Sequence, residues 1–348
     1  MPVHNNHHQE LTIDEYVQKG CELLKSVSVS HKDATTMMDA LLDADLRGVH
    51  THGLFRLPRY VEQLKAESIN PLPNINMVHS NPWLEVLDGD HGPGAVVADE
   101  AMHRALKKSN DYGIGVTAVH NGNHFGMAAY YAEMASQEGK IGIVMTNSSP
   151  AIAPTGSIKR LIGNNPWSVS VPNPDNQPVT LDIANSIVSK GRLRVARDQG
   201  ETIPLGWALD ADGKPTDDPQ KALEGIVLPI GDYKGYGIAL MVEILAGVLT
   251  GADFSERMVD HDADEKRNVG HLFIAVETDS FMNKEEYKKR INELVQSIKQ
   301  APVIPGQNVY LPGEIEWQRK QQQLSEKINI PEKTLQEFWD LCEKHNIS

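Results

Sequence analysis

"GIGVTAVHNGNHFGMAAYYAEMA", residues 113–135, opens with the glycine spacing of a dinucleotide fingerprint, and the order of its elements decides the fold. Such a fingerprint needs a strand first and a helix next, so that a pyrophosphate meets the helix N-terminus. Here the glycines follow the helical periodicity of "GAVVADEAMHRALKKSNDYG" (94–113) and lead into an extended run, "IGVTAVHN" (114–121). Two other stretches imitate the pattern. "GPGAVV" (92–97) follows a strand and opens a helix but carries Pro93 and lacks the third glycine, and "GYGIAL" (235–240) opens a helix with no clear strand before it. A nucleotide, if one binds, is expected to do so outside a Rossmann frame.

Outward from this stretch the chain alternates. "WLEVLDG" (83–89) reads as a strand, "HFGMAAYYAEMASQEG" (124–139) as an alanine-rich helix stopped by Gly139, and "IGIVMTNSS" (141–149) as a buried strand. That alternation marks an α/β protein. "PWSVSV" (166–171), "VTLDIA" (179–184) and "GHLFIAVET" (270–278) add strands, with a turn at Asp212-Gly213 and one long apolar helix over 236–250. The N-terminal part predicts helices instead. "TIDE" (12–15) and "SHKD" (30–33) are capping-box patterns, and a third helix is expected from Pro58. Charged helices are expected around 283–300 and 331–345.

Composition narrows the partners. The 348 residues suggest two units, and 40% hydrophobic content fills a sizeable core. A net charge of −14 argues against nucleic acid and anionic membrane surfaces, which call for a basic face. Cys21 and Cys342 stand at opposite ends with no metal or redox spacing, as free thiols in a reducing compartment would. The opening "MPVHNNHHQE" lacks the basic-then-apolar order of a signal peptide, and the run 237–251 is too short to span a bilayer. A soluble, cytoplasmic protein is expected.

Two histidine segments carry the chemistry. His124 follows a strand at the start of the alanine-rich helix, where a helix dipole disfavours imidazolium and leaves a neutral base. A capping or turn histidine is the competing reading. In "LRGVHTHGLFRLPRY" (46–60), a helix would align His52, Arg56 and Tyr60 at i, i+4 and i+8. An arginine beside a histidine competes with a metal but suits a small carboxylate, held by the guanidinium while His or Tyr handles a proton. A solvated helix face is the alternative. His50 and His52 have no acidic or cysteine ligand at a usable spacing, so no metal site is expected.

Taken in series, "GVHTHGLFRLPRY", "NGNHFGMAAYYAEMA", "TGSIKRLIGNNPWSVSVP", "LDIANS", "YKGYGIALMVEILAGVLTG" and "VYLPGE" resemble the malate/L-lactate dehydrogenase family of the non-Rossmann type, which also holds ureidoglycolate, sulfolactate and diketogulonate dehydrogenases. The resemblance implies hydride transfer between NAD or NADP and a small 2-hydroxy acid, malate or lactate by default with ureidoglycolate as alternative, in a homodimer. It implies an α/β fold: a non-Rossmann mixed-sheet cofactor domain (76–282) and a helical domain built from the N-terminal (1–75) and C-terminal (283–348) segments.

By the same resemblance His124 would be the general base, His52 a second acid–base candidate, and Arg56 the carboxylate clamp supported by Tyr60. The family's Ser-His-Gly is here Thr51-His52-Gly53, a departure that keeps the hydroxyl and adds a methyl. Cofactor contacts would come from Ser148, Asp182, Ile183, Ala184, Lys234, Gly235, Pro312, Gly313 and Glu314, and Arg267 is a further anion contact. Two readings from other classes stay open: a metabolite-binding homologue without catalysis, and a metal-dependent hydrolase using His50, His52 and His124.

Overall fold

The computed structural model describes residues 11–258, 264–325 and 327–347. The polar stretch 1–10, read above for want of a signal, lies outside them. In chain order the helices α1 (Ile13–Ser26), α2 (His31–Leu46) and α3 (Leu57–Lys65) come first. Then follow β1 (Asn76–Ser80), β2 (Leu84–Asp88), α4 (Gly94–Tyr112), β3 (Ile114–Gly122), α5 (Ala128–Gln137) and β4 (Lys140–Thr146). Short strands β5 (Pro150–Ile152) and β6 (Ile162–Gly163) precede β7 (Trp167–Val171) and β8 (Val179–Ile183). A small unit adds α6 (Lys190–Gln199), β9 (Ala208–Leu209), β10 (Pro215–Thr216), α7 (Pro219–Glu224) and β11 (Ile226–Val227). The chain ends with α8 (Tyr233–Val242), β12 (Val269–Glu277), α9 (Lys284–Lys299), α10 (Glu314–Ser325) and α11 (Glu332–Lys344).

The main sheet has the order β1-β2-β3-β12-β4-β7-β8. Only β2 and β3 run parallel; every other neighbouring pair is antiparallel. This mixed sheet is not the doubly wound parallel sheet of a Rossmann domain. Gly113 ends α4 in the left-handed region at φ 77° and β3 begins at Ile114, so the fingerprint glycines do lead from helix to strand. On one face, the helices α4 and α5 bury Val97, Ala101, Met102, Tyr131 and Ala132 against Leu87, Val119, Val144 and Phe273 of the strands.

A second core joins the two ends of the chain. Tyr16, Leu23, Leu24, Met38, Leu54, Leu57 and Leu64 pack with Ile328, Leu335, Phe338 and Cys342. The Thr12–Glu15 capping box is formed, whereas Ser30 caps α2 by accepting from Asp33 N and donating to the Asp33 carboxylate. The helix α9 is bonded elsewhere: Tyr287 donates to Pro172 O, and Asn292 to Asp175.

Two expectations need correction. The face His52–Arg56–Tyr60 is not one helix, because two single 3-10 turns, His50–His52 and Leu54–Arg56, precede α3 and are separated at Gly53. The long apolar helix over 236–250 begins earlier, at Tyr233, and widens into a π turn over Glu243–Val248. At the start of this turn the buried carboxylate of Glu243 accepts from Ser255 N and Asn165 Nδ2. Among the described residues no helix is long and apolar enough to cross a membrane.

A buried ion network ties the helical layer to the sheet layer. Arg47 at the end of α2 donates to Asp43 at 2.7 Å and to Glu133 of α5 at 2.6 and 2.8 Å, while Lys320 of α10 reaches Asp43 at 2.5 Å. Arg47→Ala would leave buried carboxylates unmatched. We expect it to lower stability by about 3–5 kcal/mol, read as a fall in the urea midpoint; an unchanged midpoint would show the network to be energetically silent.

Candidate active site

The segment 50–56 is built on Asp45. Its buried carboxylate accepts from Leu54 N at 2.7 Å and Tyr16 Oη at 2.8 Å, and meets His50 Nδ1 at 2.8 Å. Gly53 passes so close that a Cβ there would lie 2.1 Å from the Asp45 carboxylate. His50 is thus a structural partner of Asp45 through Nδ1. Among the described residues no group of three or more His, Cys, Asp or Glu side chains could hold a metal ion.

His52 and His124 come together across 72 positions of sequence, their rings stacked at 5.4 Å and 24°. Thr51 Oγ1 meets His52 Nδ1 at 3.1 Å, so the departure from serine keeps its hydrogen bond. Tyr60 Oη lies 2.7 Å from His124 Nδ1 and 3.4 Å from the His124 carbonyl. Gly126 N also reaches Nδ1 at 3.3 Å; in the tautomer whose Nδ1–H donates to Tyr60, Nε2 is left as the base. Arg56 fixes its Nε on Thr51 O at 2.7 Å and stacks over Phe55, which leaves its terminal amines to face a ligand. All three groups, His52, Arg56 and His124, are half-buried, as in the wall of a cleft.

Burial and the Arg56 charge push His52 down to about 3, and burial, Arg56, His52 and Arg267 hold His124 well below the usual histidine range. The helix dipole invoked from sequence is not the cause, since α5 starts only at Ala128. Arg267 belongs to the same cluster. Its carbonyl accepts from His91 Nδ1 at 2.8 Å, next to Asn268, whose side chain accepts from Asn121 N at 2.7 Å. Burial lowers Arg56 itself, and Arg194 and Arg267 add to that as like charges. Arg194, on α6, had no signal in the sequence because α6 itself did not stand out.

His271 was also missed. It is fully buried on β12, with Nε2 3.1 Å from Asn123 O and Nδ1 2.8 Å from Thr146 Oγ1, so it fastens the residue before His124 to the end of β4. A histidine within the apolar run "GHLFIAVET" was the available signal.

The expected cofactor residues lie on a connected line. Ser148 Oγ donates to Asn164 and its N–H to Asn165; Asn185 Nδ2 donates to the carbonyl of Asn165; Ile230 N donates to Asn185 O; and Gly235, beside Lys234, donates back to Ile230 O. Asp182, Ile183 and Ala184 run along β8 and out of it toward Asn185. Asp182 accepts from Ala129 N at 3.3 Å, and burial pushes it up to about 7. Pro312 O accepts from Thr180 N, and Gly313, at φ 79°, presses on Thr180 O. Glu314 is occupied by Lys299, Leu311 N and Gln318, so its carboxylate braces this loop. The line meets the histidine cleft where Lys190 donates to Pro150 O and Gly191 abuts Thr51.

With that geometry in view, the comparisons are specific. The pattern of the malate/L-lactate dehydrogenase family matches residues 11–338. The chain belongs to that family. It is similar to the L-sulfolactate dehydrogenase of Methanocaldococcus jannaschii, 39% identical with 92% of this chain and 93% of that protein aligned. The malate dehydrogenase of Pyrococcus horikoshii is 38% identical, over 92% of this chain and 91% of its own. The solved malate dehydrogenase from Entamoeba histolytica superposes with a TM-score of 0.93 at 30% identity, covering 98% of this chain and 99% of that one. Relatives named with NAD(+) and with NADP(+) both occur, so the family cofactor is a nicotinamide dinucleotide.

The residues present fit such a group. Lys234 is exposed in the first turn of α8 and has no partner among the described residues, a setting that favours phosphate. Asp182 offers an acceptor for sugar hydroxyls.

Neutral burial has a pH consequence at His271. It is pushed down to about 3 from an ordinary 6.5, so below 6.5 the unfolded chain takes up a proton that the native protein refuses. Its contribution is full above that pH and falls toward about 3, by at most about 1.4 kcal/mol per pH unit. Urea unfolding between neutral and mildly acid pH should therefore be steeper in pH for the wild type than for His271→Gln. Parallel slopes would exclude His271 as the source.

Proposed function

We propose that this protein is an NAD(P)-dependent 2-hydroxyacid dehydrogenase, acting on malate or lactate as default substrates, with His124 as acid–base group. The observation that supports the reading is a guanidinium, Arg56, near an imidazole that burial and that charge keep neutral and that Tyr60 orients. When bound, the nicotinamide supplies or accepts the hydride. The chain's own residues do the rest. Arg56, aimed by its bond to Thr51 O, holds the substrate carboxylate through its terminal amines. His124 Nε2 takes the hydroxyl proton during oxidation and returns it to the carbonyl oxygen during reduction, while Tyr60 accepts from Nδ1–H and steadies the imidazolium. His52, stacked on His124 and bonded to Thr51, shapes the pocket and stands as the second acid–base candidate.

Asp182 with the ribose, Lys234 with phosphate, and Ser148, Ile183, Ala184, Gly235 and the 312–314 loop as the surrounding wall complete the cofactor part of this reading. Arg267 adds positive potential over the anion. The cytoplasm and a homodimer are the setting we infer. Met241, Val248 and Leu249 expose an apolar stripe on the α8 segment that suits a second copy. A monomer mass by light scattering would remove the dimer from the proposal.

His124→Ala should lower turnover by roughly two to four orders of magnitude with cofactor affinity retained. Following absorbance at the reduced-nicotinamide band with a panel of 2-keto acids measures this directly, and near-normal turnover would reassign the base. Arg56→Lys loses the fork geometry and should raise the substrate KM by more than it alters cofactor binding. A change confined to cofactor affinity would move Arg56 to the nucleotide part of the site.

A further inference from the structure

The helix α6 brings a third arginine to the cleft. Its start is held from several sides: Ser189 Oγ accepts from Arg192 N, Lys190 Nζ donates to Pro150 O at 3.1 Å, and Leu193 is buried with Val188, Ile203 and Val227. Arg192 turns outward over the Trp207 ring at 5.1 Å. Gly191 abuts the cleft, where a Cβ would sit 3.5 Å from Thr51 Cγ2. Residues three apart share a helix face, so Arg194 stands on the side of Gly191, which abuts Thr51, and its charge is felt at Arg56. It is exposed and makes no hydrogen bond or ion pair among the described residues. In a chain of net charge −14, an exposed arginine without an ion pair, set beside another guanidinium, is an arrangement that an arriving anion stabilises. One carboxylate satisfies one guanidinium, and Arg56 already accounts for the group next to the reacting carbon.

We propose that Arg194 is a specificity-determining residue whose guanidinium receives the second acidic group of a dianionic 2-hydroxy acid, a distal carboxylate or sulfonate, while Arg56 holds the first. Lactate, with a methyl at that end, leaves Arg194 without a partner. This rests on the 2-hydroxyacid reading given above and narrows its substrate to dianions. The like charges of Arg194 and Arg267 acting on Arg56 are consistent with it, since a dianion relieves more of that repulsion than a monoanion does.

Oxaloacetate and pyruvate differ by the distal carboxylate and serve as the probe pair. In wild type, Arg194→Met and Arg194→Lys, kcat/KM is measured for both acids with NADH and NADPH, together with Kd for the reduced cofactor by fluorescence. Arg194→Met should lose about 10–100-fold on oxaloacetate, mostly in KM, and under about 3-fold on pyruvate. Arg194→Lys should recover part of the oxaloacetate loss. Equal losses on the two acids, or an unchanged ratio, would overturn the assignment. A weakened cofactor Kd with the ratio preserved would overturn it too, giving Arg194 to the cofactor phosphates. If the wild type reduces no 2-keto acid with either cofactor, the underlying 2-hydroxyacid reading fails instead.

Discussion

Asp45 Oδ2 takes the hydroxyl of Tyr16 and the backbone N–H of Leu54, and Oδ1 takes His50. Leu54 lies between His52 and Arg56, so this one carboxylate sets where both side chains leave the backbone. The turns on either side of Gly53 have too few internal hydrogen bonds to hold themselves, and each buried donor left unmatched costs about 1–3 kcal/mol. Close approach, not an unusual φ, demands glycine at position 53, whose φ is −92°. Tyr16 belongs to α1 and the carboxylate to α2, so the cleft inherits its geometry from the helical core, where Tyr16 is fully buried.

The strand-and-helix order was legible where apolar periodicity and glycine stops were strong, as along α4, β3, α5 and β4. It was not legible in several elements where burial is slight, although α9, which buries no residue, was read from its charged helical composition. The strand β1 is exposed at every position on the sheet edge, α10 buries only Glu314, and α6 only Leu193. No apolar stripe marks such elements, and Arg194 went unseen with α6. In the site, His124 was singled out by its place between strand and helix, and Arg56 and Tyr60 by their spacing with His52; only the family resemblance joined the two segments, and the fold brings His124 to Tyr60. The helical spacing that suggested grouping His52, Arg56 and Tyr60 was mistaken in its geometry, since Gly53 interrupts it. Asp45 gave no signal, because an aspartate in "LLDADL" looks like any solvated helix residue until its neighbours are placed.

The charges around the cleft work against the free base. Burial first, and then Arg56, His52 and Arg267, hold His124 down, so without an anion the imidazole is a weak proton acceptor. Pairing Arg56 with a carboxylate cancels part of that field and returns His124 toward the range in which it exchanges protons readily. In the function we propose, recognition of the acid and activation of the base would therefore be coupled through one guanidinium.

The place of β12 bears on how the molecule is assembled. It is last of the strands in sequence yet central in the sheet, inserted between β3 and β4, which pair with it along nearly their whole length. During synthesis those two strands must wait, with unpaired edges, until Val269–Glu277 has left the ribosome. His271 travels on that strand, so the clasp on Asn123 closes in the same event that joins the two halves of the sheet. A ribosome stalled short of this strand would hold a nascent chain whose His124 is already made but not yet moored.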